Sequence, residues 1–132
     1  MKKNIIRLLS VAFVAFLFAA CSSSSTPEAA CKKYLQNVQK GDWAAVVEQM
    51  NFEEQPTAEQ KDAFVGMLQE KGKKELDKRQ GIASFEIGEV ELAEDGQKAK
   101  VKYTINFGDG TQKADDQTFV LVDGKWMIDS GK

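Results

Sequence analysis

Two cysteines, two tyrosines and no histidine are what this 132-residue chain offers to covalent or acid–base chemistry. The missing imidazole removes Ser-His-Asp and Cys-His nucleophile systems, and with them the commonest metal ligand. Both cysteines lie in FAACSSSSTPEAAC, residues 18 to 31. Cys31 has Tyr34, Leu35 and Val38 at i+3, i+4 and i+7, the spacing of one helix face, and reads as a small core residue rather than a reactive thiol. NFGDGTQKADD brings Asn106, Asp109, Asp115 and Asp116 close in sequence but misses the spacing of a calcium loop, so it reads as hairpin chemistry. EKGKKELDKR, residues 70–79, interleaves its charges with Glu70–Lys74 and Glu75–Arg79 at i,i+4, the pattern of a solvated helix face. No cofactor is implied.

Cys21 has a different setting. Lys2, Lys3 and Arg7 precede an apolar run from Leu8 to Ala20, which reads as a secretory leader. Thirteen helical residues cover about 20 Å, short of a ~30 Å hydrocarbon core, so a permanent membrane span is not expected. Phe18-Ala19-Ala20-Cys21 resembles the lipobox of bacterial lipoproteins, with Phe18 where leucine is usual. That resemblance implies a signal peptide over residues 1–20 and a diacylglyceryl thioether on Cys21. A thioether cannot also enter a disulfide, so the two cysteines are not partners. An ordinary cut after Ser22 is the alternative and would release a soluble periplasmic protein. Two acyl chains hold a protein firmly where one does not. Residues 21–26 then form a serine-rich tether reaching roughly 12 Å. Serines rather than acids after Cys21 resemble lipoproteins sorted to the periplasmic face of the outer membrane.

The leader carries three of the 18 basic residues and none of the 20 acidic ones, which leaves a net charge of −5 on the mature chain. Such a surface does not suit phosphate backbones, and nucleic acid is not an expected partner. Residues 27–132 suffice for one domain burying around two-thirds of its unfolded surface.

Thr26-Pro27-Glu28 predicts a helix start and Gly41 its stop. Asp42 caps a second helix, with Trp43, Val46, Val47 and Met50 on one side. Thr57 to Gln60 is a capping box launching a third helix that bears Phe64, Met67 and Leu68 and runs towards Gly81. Gly66 and Gly72 weaken that helix. Beyond Gly81 the period changes to two. SFEIGEVEL slips phase at Gly88-Glu89, which predicts a bulge. AKVKYTINF turns Val101, Tyr103, Ile105 and Phe107 to one face. TFVLV is apolar on both faces, as a covered central strand is, and KWMI closes the set. Asp95-Gly96, Asp109-Gly110 and Asp123-Gly124 fall at the turns. The fold class is therefore α+β, with N-terminal helices packed on a curved four-stranded antiparallel meander.

The mature chain resembles the nuclear-transport-factor-2-like superfamily, the cone-shaped fold that also houses ketosteroid isomerases. The likeness rests on TPEAACKKYLQNVQKGDWAAVVEQM, with Lys40-Gly41-Asp42-Trp43 at the break between helices, and on VDGKWMID, which places Trp126 in the closing strand. It implies a cavity between sheet and helices, used for catalysis in some members and for binding in others. Tyr103, Phe107, Phe119, Trp126 and Tyr34 are the residues expected to line it. An isomerase of this kind needs a tyrosine and an inward carboxylate. Tyr34 and Tyr103 offer the first, but neither has an obvious inward carboxylate, since most of the acids fall in turns or on polar faces. The expectation is a lipid-anchored envelope protein that binds a small apolar ligand or another envelope protein without turning it over. The alternatives are a small Tyr/carboxylate enzyme and a structural interaction module of the envelope.

Overall fold

The computed structural model describes residues 25–130. The expected leader, the lipidation site at Cys21 and most of the tether lie outside the described residues.

Three helices precede most of the sheet: α1 spans Pro27–Lys40, α2 Trp43–Glu48 and α3 Ala58–Lys78. The caps read from the sequence are in place. The Thr26 hydroxyl accepts the Ala29 N–H at 3.1 Å, and Gly41, at φ 76°, ends α1 in the left-handed conformation. Asp42 accepts the Ala45 N–H at 3.2 Å to start α2. At the head of α3, Gln60 N–H donates to the Thr57 hydroxyl and Thr57 N–H donates to the Gln60 side chain, at 3.1 and 2.8 Å.

The strands are β1 Met50–Asn51, β2 Ile82–Leu92, β3 Lys98–Phe107, β4 Gln112–Val122 and β5 Lys125–Asp129, in the order β1-β5-β4-β3-β2. Strands β2 to β5 form the expected antiparallel meander. The sheet has a fifth member, however: β1 runs parallel to β5, with Met50 beside Ile128 and Asn51 beside Asp129. Met50 therefore belongs to a strand and not to the apolar side of α2. Hydrogen bonds at the sheet edge hold it there: Ile128 N–H donates to the Gln49 carbonyl at 2.7 Å and the Ser130 side-chain hydroxyl to the Asn51 carbonyl at 2.7 Å. The β2–β3 register shifts between Ile87 and Val90, so the bulge at Gly88-Glu89 brings Val90 and Leu92 back to the face of Ile87. Asp123 and Gly124 both take positive φ, 51° and 80°, which suits the two-residue turn from β4 to β5.

The core lies between α1, α2 and one face of the sheet. Ala30, Cys31 and Leu35 of α1 meet Val101 of β3, Phe119 of β4 and Ile128 of β5 there. Each fully buried large side chain contributes about 1.5–3 kcal/mol. One polar pair is buried with them. Asn37 Nδ2 donates to Gln49 Oε1 at 2.9 Å, and Gln49 Nε2 donates to the Ala30 carbonyl at 3.3 Å, so every amide has a partner.

Helix α3 reaches this core through Leu76, and none of its residues is fully buried. It rests on Trp43 through Gly72 and on Phe52 through Phe64, whose rings meet edge-on at 5.9 Å. Met67, expected with Phe64 and Leu68 on the buried side, points to solvent and is 46% exposed. No helix among the described residues is long and apolar enough to cross a membrane.

Candidate functional site

The inner face of β3 carries Val101, Tyr103, Ile105 and Phe107, all buried. Their partners on β4 are Gln117 beside Val101, Asp115 beside Tyr103 and Lys113 beside Ile105. Side chains paired across antiparallel strands share a face, so a polar triplet lies beside an apolar row. Asp115 thus shares the face of Tyr103, where the sequence showed no obvious inward carboxylate. The Asp115 carboxylate stands 3.6 Å from Lys113 Nζ and stays partly exposed.

Tyr34 descends from α1 onto this face and shares a side-chain hydrogen bond with Tyr103. Burial raises the pKa of both phenols, and the nearby acidic groups Asp115 and Cys31 push further in the same direction. The bond to Tyr103 offsets part of the rise at Tyr34. Both therefore stay protonated as hydrogen-bond donors near neutrality. Burial pushes the Cys31 thiol up to about 12, and the thiol is free and buried. A thiol held protonated is neither nucleophile nor metal ligand.

Between α1, the end of α3 and the rim of the sheet, a cavity of about 230 Å³ opens. Its apolar wall comes from Val38, Trp43, Leu76, Ile82 and Ile105, with Tyr34 and Phe107 completing it. Glu75, Arg79 and Lys113 supply the charge. Arg79 has left the helix: it is the C-cap of α3, and its guanidinium lies 4.8 Å from the centre of the Phe107 ring. The ion pairs along this stretch are Lys73–Asp77 at 3.6 Å and Glu75–Lys78 at 3.8 Å, in place of the expected Glu75–Arg79 pair. Two turns fix the position of Arg79. Asp109 N–H donates to the Arg79 carbonyl at 3.0 Å and Gly108 N–H to the Gly81 carbonyl at 2.9 Å, while Gln80 and Gly81 adopt positive φ.

Of the residues expected to line a cavity, Tyr34 and Phe107 stand in this wall. Tyr103 lies beyond Tyr34 and borders a shallower recess with Gly88, Glu89 and Asp115 at the β2 bulge. Phe119 is fully buried, and Trp126 is buried in the same core. Val38 and Ile105 share α1 and β3 with those two, and the other lining residues come from four further elements, which no local sequence pattern joins. One signal was legible in part, since Gly72 marks where Trp43 lies against α3. The polar residues of NFGDGTQKADD hold the hairpin. Asp109 accepts from the Thr111 N–H at 2.9 Å and the Thr111 hydroxyl at 2.6 Å, and Asn106 Oδ1 accepts from Gln112 at 2.6 Å.

The same architecture recurs in solved structures. A Campylobacter jejuni protein described as an NTF2-like transpeptidase superposes with a TM-score of 0.65 at 17% identity, over 79% of this chain and 97% of its own. A SEC-C motif containing protein from Rhodopseudomonas palustris superposes at 0.56, also 17% identical, over 89% of this chain and 86% of its own. These likenesses show the nuclear-transport-factor-2-like fold, with its helices closing over a curved sheet. No curated protein matches the sequence. Residues 19–129 match the domain of unknown function DUF4878 from before α1 to the end of β5, and the chain belongs to that family.

Proposed function

We propose that this is a lipid-anchored protein of the bacterial cell envelope whose cone binds a small, largely apolar ligand without turning it over. The cavity between α1, α3 and the sheet rim carries the reading: seven aliphatic or aromatic side chains face it, and a few polar groups sit at fixed places around it. The anchor is the diacylglyceryl thioether on Cys21, and the periplasmic face of the outer membrane is its place. The protonated thiol and the paired tyrosine hydroxyls support binding over covalent catalysis.

Native mass spectrometry of the envelope-purified protein tests the reading. The expected species begins at Cys21, carries acyl mass and retains a small molecule that Val38→Trp, which fills the cavity, expels. A chain beginning at Ser23 and free of fatty chains removes the anchor. Identical small-molecule content in the Val38→Trp protein removes the cavity.

The pairing of Tyr103 with Asp115 across β3 and β4 favours a second reading, an enzyme of Tyr/carboxylate type. Tyr103→Phe would then abolish turnover of a bound ligand. Under the binding reading, ligand leaves chemically unchanged from both proteins.

A further inference from the structure

The charges around the cavity are not equivalent, and the difference bears on what the cavity takes. Glu75 is compensated by Lys78 at 3.8 Å, and Lys113 by Asp115 at 3.6 Å. The Arg79 guanidinium acts on the Asp109 carboxylate across the turn, but among the described residues it forms no ion pair within 4 Å, and its close contact is with the Phe107 ring. A cation over a ring face spends none of its N–H groups on a charged partner, and a guanidinium offers a fork that fits a carboxylate with two parallel hydrogen bonds. The backbone is held as well, because the Arg79 carbonyl is tied to the Asp109 N–H at 3.0 Å. A cation fixed in this way loses little freedom on binding.

Size sets a second condition. A dry cavity of about 150 Å³ accommodates benzene, and drug-sized pockets begin near 300 Å³. At about 230 Å³ this cavity suits a single ring or a short branched chain with one polar head. Trp43, Leu76, Ile82 and Ile105 would cover the body of such a molecule.

We infer that the ligand is a small apolar carboxylate, its hydrocarbon body against Trp43 and Leu76 and its anionic head on the Arg79 guanidinium, which is already braced by Phe107. This rests on the binding reading above and adds the chemical class.

The test uses 3-phenylpropanoate and its neutral counterpart 3-phenylpropan-1-ol as probes. Each is titrated into the full chain carrying Cys21→Ser and followed through the Trp43 indole resonance. The acid should bind about tenfold more tightly than the alcohol, as the loss of one charge-assisted hydrogen-bond pair implies. Arg79→Gln should bring the acid down to the level of the alcohol and leave the alcohol unchanged, while Arg79→Lys restores part of the difference. Equal binding of acid and alcohol to the unsubstituted chain would overturn the carboxylate class and leave the cavity reading intact. If neither probe moves the indole resonance, both fall. The acid–alcohol comparison needs no variant, so it decides the matter even if Arg79→Gln folds poorly.

Discussion

The indole of Trp43 occupies the space that a β-carbon on residue 72 would need, so the glycine on α3 and the tryptophan that opens α2 fit only as a pair. Nothing stands within 4 Å of the corresponding position at Gly66, six residues earlier on the same helix. The two glycines therefore respond to substitution with opposite sign. Gly66→Ala should stabilise the protein by roughly 0.5–1 kcal/mol through helix propensity. Gly72→Ala gains the same propensity but must displace a ring from its packed position, an overpacking cost of about 1–3 kcal/mol, and should be net destabilising. Midpoints of urea unfolding for the two variants, moving in opposite directions, check this.

The Asn37–Gln49 pair joins α1 to the segment leading into β1, and both amides are buried. Removing one partner strands the other without water. Gln49→Ala should cost about 1–3 kcal/mol, and Asn37→Ala a similar amount. The double variant should fall well short of the sum, because the second substitution removes a group already left unpaired. A double-mutant cycle by chemical denaturation reads the coupling.

Cys31 gives the fold an alkaline limit. Its thiol keeps its proton up to about 12 when folded, against an ordinary value of 9.0, so between those values the folded chain binds more protons than the unfolded one. Stability is intact below pH 9 and declines as pH rises through that window, by at most about 1.4 kcal/mol per pH unit for one group. Tyr34 and Tyr103 add a decline of the same sign above their ordinary value of 10.0. Cys31→Ala should flatten the curve from pH 9 upward without removing the tyrosine contribution. In parallel, iodoacetamide should leave Cys31 unmodified at pH 8 in buffer and alkylate it in urea.

Phe119 is the largest of the fully buried side chains and sits where β4 passes between β3 and β5. Phe119→Ala should cost about 3–5 kcal/mol. Thermal melting should show the loss as a single lowered transition, since the core it leaves is continuous from α1 to β5.

What could be read in advance was local. Thr26, Asp42 and Thr57 cap helices through atoms three residues away, and Gly96, Gly110 and Gly124 take positive φ within their own turns, so a short window contains the cause. The phase slip at Gly88-Glu89 was visible for the same reason. Strand β1 was not, because two residues have no period and Met50 is held by backbone groups near Ser130. Asp115 was hidden differently. Lys113 to Gln117 show no alternation, with Ala114 the one apolar residue and Asp115 and Asp116 adjacent, so the period cannot say which of them face inward, and only pairing with Val101, Tyr103 and Ile105 decides it. The cavity wall is the extreme case. Val38, Leu76 and Ile105 meet through tertiary packing alone, and Arg79 looked like a helix-face charge until the chain turned at Gln80.

The position of β5 imposes an order of assembly. The strand latest in the chain is inserted between β4 and β1, and the Asn51–Ser130 contact closes a loop of 79 residues. Until that strand arrives, Met50 has no edge to pair with and the carbonyl of Gln49 has no donor. A chain made amino end first has its helices and first hairpins in hand early, yet it stays open along that seam until the last strand is in place. The seam is where the unfinished molecule shows a bare sheet edge.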